Sequence, residues 1–159
     1  MPEGSPILVA YDGSPEARSA LERAAALFPG RPVIVATVWE PGLAQVVPDP
    51  GGIGAPATPV DLEQVAEAEA LMSNRAAAIA AEGAARAGEA GLKPTPVAIE
   101  DEGNVAETIT AIADDHDAEV VVVGSRGHSG LKARLLGTTS ESILHHCSRP
   151  VLVVRGGRA

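Results

Sequence analysis

Three glycines and a run of hydroxyl residues carry the clearest chemical signal in the 159-residue chain. They read Gly124-x2-Gly127-x9-Gly137, with Thr138, Thr139 and Ser140 directly after. Glycine lets backbone come close to a ligand and reach positive φ. The hydroxyls donate hydrogen bonds. A helix opening at this point would add free N–H groups and a positive dipole end. Together these features fit a phosphate. A flexible glycine loop ahead of an ordinary threonine cap fits the same letters. Arg126, His128, Lys132 and Arg134 put positive charge in and after the loop of an acidic chain, which suits a polyphosphate. Some of them serve equally well as solvated loop residues. The pattern is not a Walker loop, because no lysine stands between Gly137 and Thr138. It is not a dinucleotide fingerprint either, since G-x-G-x-x-G is absent. A second candidate is Asp12, just past an apolar run, where a carboxylate can accept from a ribose hydroxyl. Asp12-Gly13 is also an ordinary turn signal.

Other reactive side chains read as structural. His145 and His146 fall in the last turn of a helix, where cations complement the dipole. As helix neighbours they point about 100° apart, which disfavours a metal pair. Cys147 is expected to be a small buried apolar residue. Trp39 is expected to pack. Asp114-Asp115-His116-Asp117 reads as a solvated helix end, and Glu100-Asp101-Glu102 as carboxylates favouring the helix start that follows.

These residues must be positioned by alternating elements. Five apolar runs read as strands: Ile7–Tyr11, Pro32–Val38, Thr95–Ile99, Glu119–Gly124 and Val151–Val154. Several are nearly continuous Val, Ile and Leu, as in strands covered on both faces. The third, with two prolines nearby, reads as an edge strand. Between them lie four helical stretches. Ser14-Pro15-Glu16 opens the first, with Ala17, Ala20, Leu21, Ala24, Leu27 and Phe28 as its apolar face and Pro29-Gly30 as its stop. The second runs from about Val60 to Ala90, with Leu62, Val65, Ala66, Leu71, Ile79 and Ala80 as a stripe. The third opens on Asn104 with Glu107 three residues on, and ends near His116. The fourth runs from about Thr138 to His146. The order β-α-β-α-β-α-β-α-β implies a doubly wound α/β domain with a parallel sheet and helices on both faces. The Pro- and Gly-rich stretch at about 40–60 is either a surface insertion or a functional loop at the carboxyl edge.

Composition narrows the function. A length of 159 residues is that of a single domain, 1–159. A formal net charge of −9 argues against nucleic acid and against a polybasic membrane-surface role. Aromatics are 2% of residues, too few for base-stacking platforms. No apolar run is long enough to span a bilayer. The single cysteine and the absence of a leader pattern lead to the expectation of a cytoplasmic protein.

The glycine spacing resembles the G-2x-G-9x-G-[S/T] motif of the ATP-binding branch of the universal stress protein family. Ile7-Leu8-Val9-Ala10-Tyr11-Asp12-Gly13-Ser14 is similar to that family's first strand and turn, and Pro150–Val154 to its last strand. The resemblance runs from about Pro6 to Arg155. It implies a five-stranded sheet of order 3-2-1-4-5, and a homodimer paired through Val151–Val154. It implies ATP with Mg²⁺ or Mn²⁺ held by the phosphates. Asp12 would sit at the adenosine end and the Val38 backbone would face adenine. Gly124 and Gly127 would line the ribose and first phosphates, with Ser125 and Arg126 at the motif's variable positions. Gly137, Thr138 and Thr139 would hold the outer phosphates.

No general base, nucleophile or metal-ligand set stands beside the loop. The expectation is therefore a nucleotide-dependent regulatory protein of the stress response. The alternatives are a slow ATP-hydrolysing or nucleotidyl-transfer enzyme, and a nucleotide-free interaction module.

Overall fold

A computed structural model describes residues 4–41, 61–101, 103–125 and 137–156. The elements are β1 (Ile7–Ala10), α1 (Pro15–Leu27), β2 (Pro32–Trp39), α2 (Leu62–Glu89), β3 (Lys93–Glu100), α3 (Val105–Asp115), β4 (Val120–Gly124), α4 (Thr138–His146) and β5 (Val151–Val154). All strand pairs are parallel. The sheet order is β3-β2-β1-β4-β5, the expected doubly wound arrangement.

The order explains where the helices lie. The chain steps outward from β1 to β2 and β3, then crosses to β4 and steps the other way to β5. Right-handed crossovers then place α1 and α2 on one face and α3 and α4 on the other. Side-chain alternation sorts the core accordingly. Ile7, Val9, Tyr11, Val33 and Val35 pack under α1 and α2 with Ala20, Leu21, Ala84 and Ala87. Leu8, Ile34, Ala36, Val121 and Val123 pack under α3 and α4 with Ile109, Ile112 and Ile143. Both faces of the central strands are dry, so they need no polar alternation.

Two apolar expectations fail at the helices. Leu27 of α1 is exposed, and Ala25 is buried in its neighbourhood instead. In α2, Leu62 and Leu71 are more than two-thirds exposed, and the buried face is Val65, Ala76, Ala80, Gly83, Ala84 and Ala87. The reason is length. A 28-residue helix is about 42 Å long, against about 27 Å for the eight-residue strands beneath it. Part of the helix must therefore run past the ends of those strands.

The two sheet edges are unlike. In β3 the Lys93 amide donates to Arg31 O at 3.0 Å and the Asp101 amide to Trp39 O at 2.8 Å. The odd-numbered residues thus face β2, and Pro94 and Pro96 fall on the outward parity. They remove outward donors without costing the ladder a bond. In β5, Pro150 O and Val154 O accept from the Val121 and Ser125 amides. Val151 and Val153 are left on the outward parity, with their N–H groups intact. Replacing both Pro94 and Pro96 by Thr is expected to keep the monomer fold and to open β3 to strand addition. Light scattering should then show concentration-dependent association absent from the parent, and unchanged scattering would refute the edge argument.

Candidate functional site

The topological switch point lies between β1 and β4, where adjoining connections leave toward opposite faces and ligands bind in sheets of this kind. A cavity of about 280 Å³ opens there. One wall is α1, through Ser14 and Ala17, and the opposite wall is α3 and α4, through Val105, Ile109 and Ile143. Asp12, Val38, Gly124, Gly137, Thr138 and Thr139 all line it. Six residues singled out in the sequence thus converge from three strand ends and one helix start.

Each is set by local structure. Asp12 leaves β1, and its Oδ1 accepts the Ser14 amide at 2.9 Å. Ser14 caps α1, its Oγ accepting the Ala17 amide at 3.2 Å. Asp12 is the only charged residue among the described lining residues. Gly13 has a φ of +80°, so the turn needs a glycine. Gly124 ends β4 against α1, and a Cβ there would lie 3.1 Å from the carbonyl carbon and oxygen of Glu16. That glycine therefore has a packing reason independent of any ligand. Gly137 is the N-cap of α4, and its amide donates to Ser125 O at 2.6 Å.

The start of α4 is the feature that distinguishes this cavity. Ser14, Asp61 and Asn104 cap α1, α2 and α3 with side-chain oxygens. At α4 the N-cap is Gly137, which has no side chain to offer the first turn, and Thr138 and Thr139 are exposed. The threonine cap that would have explained these residues structurally is absent. Uncapped helix-start N–H groups facing a cavity favour an anion.

Other expected residues are engaged differently. Ser140 also lines the cavity, but it is buried and its Oγ donates to Gly124 O at 2.7 Å. It ties α4 to β4 instead, because its position in the helix turns it inward. Ser125 is buried, and its backbone is committed to Val154 O and the Gly137 amide. Arg126 and Gly127 lie outside the described residues, as do His128, Lys132, Arg134 and most of the 40–60 stretch. Cys147 is half-buried rather than buried, at the rim of the α3/α4 core. Asp114 and Asp117 both pair with Arg149, at 2.9 and 2.8 Å, so that cluster joins α3 to the approach to β5. Asp101 is buried, and its Oδ1 accepts the Gly103 amide at 3.1 Å and Thr108 Oγ1 at 3.0 Å. It holds the β3–α3 turn that places Val105 at the cavity wall. No group of three or more His, Cys, Asp or Glu able to hold a metal occurs among the described residues.

Sequence reasoning missed Tyr11. Its hydroxyl donates to Glu82 Oε2 on α2. Glu82 Oε1 also takes Arg86, and lies 3.7 Å from Arg18 on α1. Burial, then the Glu82 bond, push the Tyr11 phenol above its ordinary value of 10.0. The same bond, followed by Arg86, pulls Glu82 below the usual carboxylate value. For the tyrosine, the native state holds its proton more tightly than the unfolded chain. Its contribution to stability is present below about pH 10 and lost as pH rises through the native midpoint. Tyr11 is the single tyrosine of the chain, so phenolate absorbance reports it alone. The midpoint should lie above 10.0 and fall in Glu82→Gln, which removes the repelling charge. A midpoint that Glu82→Gln leaves in place would break the assignment.

The profile of the universal stress protein family matches residues 5–155. The chain belongs to the universal stress protein family. A universal stress protein of Thermus aquaticus is 32% identical over 151 residues, covering 94% of this chain and 97% of that protein. Universal stress protein G of Salmonella typhimurium is 42% identical over 53 residues, which is 33% of this chain and 37% of that protein. The chain thus aligns with little more than a third of that relative's length. The solved structure of a Methanocaldococcus jannaschii universal stress protein superposes with a TM-score of 0.77 at 23% identity, covering 99% of both chains. The Archaeoglobus fulgidus universal stress protein, solved in complex with dAMP, gives 0.62 at 19% identity, covering 95% of this chain and 98% of that one. At these identities the structural likeness shows the fold. No helix among the described residues is long and apolar enough to cross a membrane.

Proposed function

We propose that this universal stress protein is a single domain over 1–159 that binds ATP at the β1/β4 switch point and acts as a nucleotide-dependent regulator. The observation that carries the reading is the helix start without a side-chain cap at Gly137, opening onto the same cavity as Asp12 and Val38. Phosphates meet the N–H groups of α4 and the hydroxyls of Thr138 and Thr139. Asp12 takes a ribose hydroxyl. The apolar wall of Val38, Val105 and Ile109 takes the base, with the Val38 backbone supplying its polar contact. Gly124 lines the phosphate side of the cavity, and Ser125, Arg126 and Gly127 are proposed to contribute from the residues that follow it. The dAMP complex of a relative supports an adenine nucleotide.

Mg²⁺ or Mn²⁺ fits as an ion carried by the phosphates. Asp12 is the one carboxylate among the described lining residues, which is too few donors for a protein-built metal site. The proposed output is occupancy of the site, with slow ATP hydrolysis or nucleotidyl transfer as the alternative. A homodimer through β5 is supported by the open outward edge of Val151 and Val153 and by the barred edge at β3. The setting is cytoplasmic, without nucleic-acid or membrane partners.

Native mass spectrometry of gently purified protein, with and without added ATP and Mg²⁺, tests both claims at once. The expected species is a dimer carrying two ATP. A monomer that stays empty at millimolar ATP would refute the reading.

A further inference from the structure

Tyr11 is restrained from three sides. Its amide donates to Ala36 O and its carbonyl accepts Thr37 Oγ1, both at 2.8 Å, so β2 fixes its backbone. Its ring lies in the core under α1 and α2 and is almost wholly buried. There it packs tightly against Gly83 of α2, because a Cβ at that glycine would come within 2.7 Å of ring atom Cδ1. Its hydroxyl reaches Glu82, 71 residues away in the chain. Glu82 is held in turn by Arg86 from α2 and approached by Arg18 from α1.

A core position needs only the apolar body of an aromatic ring, which phenylalanine supplies. The buried hydroxyl spends its bond on the partly exposed carboxylate of a distant helix instead. The next residue is Asp12. There the chain leaves the ladder, and the Ser14 amide turns the carboxylate. Glu82 therefore grips the last fixed point before the cavity's one described charge.

We propose that Tyr11 is a positioning residue, whose hydroxyl bond to Glu82 locks the exit of β1 and so orients the Asp12 carboxylate toward the bound nucleotide. The nucleotide half of this statement rests on the function proposed above; the orienting half does not. Tyr11 also lines the cavity, but its hydroxyl is spent on Glu82, so it acts through Asp12 as a positioning residue.

Two measurements on the full chain test it separately. In nucleotide-free protein, hydrogen exchange of the Ser14 amide reads the Asp12 turn directly. Tyr11→Phe is expected to speed that exchange about tenfold, while amides in the middle of α1 keep their rates. Glu82→Ala should reproduce the effect. Glu82→Gln, which keeps an oxygen to accept the hydroxyl, should restore most of the protection. Unchanged Ser14 exchange in Tyr11→Phe, or equal acceleration throughout α1, would overturn the proposal, since either marks a merely structural hydroxyl.

Calorimetric titration with ATP then reads the consequence. Tyr11→Phe should weaken ATP binding by about 3- to 10-fold in the parent, and by less than about 2-fold in an Asp12→Ala background. Equal weakening in both backgrounds would show that Tyr11 does not act through Asp12. If Ser14 responds as expected but the parent binds no ATP, the functional reading fails and the orienting role of Tyr11 stands.

Discussion

Gly137→Val should abolish ATP binding while leaving the fold in place. Gly137 has φ −70° and ψ 155°, an extended conformation open to a β-branched residue. Its amide can still reach Ser125 O, and its carbonyl still accepts the Glu141 amide, now at 2.9 Å. Helix α4 therefore starts where it did. What changes is the helix start itself, where a branched side chain would crowd the first-turn N–H groups that are proposed to receive the phosphates. A loss of at least about 100-fold in affinity is expected, or about 2.7 kcal/mol. Calorimetry with ATP measures it, and thermal unfolding without ligand should agree with the parent to within a few degrees. Undiminished affinity would remove the phosphate site from α4. Gly124 is a poorer probe. A side chain there would press on the Glu16 backbone, so lost binding would report a shifted α1 as readily as a blocked site.

Gly83→Ala should destabilise the protein, against the usual trend. In a helix interior this change normally gains about 1 kcal/mol, because glycine loses more backbone entropy on folding. Here the new Cβ would stand 2.7 Å from Tyr11 Cδ1 and 2.8 Å from Val35 Cγ1. Neither neighbour yields cheaply: Val35 is a fully buried strand residue, and Tyr11 is pinned by β2 and Glu82. Overpacking of this kind costs roughly 1–3 kcal/mol and often more than the propensity gain. A net loss of up to about 2 kcal/mol would lower the melting temperature by up to roughly 8 °C for a chain of this size. A variant as stable as the parent would mean that α2 can lift from the sheet without penalty.

Much of the scaffold was legible because it rests on local rules. Continuous Val and Ile runs gave the doubly covered strands, the two prolines marked the edge strand, and Ser14 and Asn104 marked their helix starts. Strand order was not visible in periodicity, which says nothing about neighbours; it came with the family resemblance. The convergence of Asp12, Val38 and Gly137–Thr139 was readable because the carboxyl ends of parallel strands share one edge. The Tyr11–Glu82 bond was not, since no spacing rule links residues 71 positions apart. Ser140 reads as a third free hydroxyl because three adjacent letters do not reveal which points inward. Periodicity puts Leu62 and Leu71 on a buried stripe because it does not say where the sheet beneath a helix ends.

The bond from the Gly137 amide to Ser125 O has a consequence for insertions. It ties residue 125 to residue 137, so the end of β4 and the start of α4 are held to one another directly. Lengthening a closed loop costs only about 0.6 kcal/mol per doubling. A series of Gly/Ser insertions between 126 and 136 should therefore lower the unfolding free energy by about that increment at each doubling, and a steeper fall would show the knot to be weaker than its geometry. Such a junction lets the chain between residues 126 and 136 change in length while β4 and α4 stay joined.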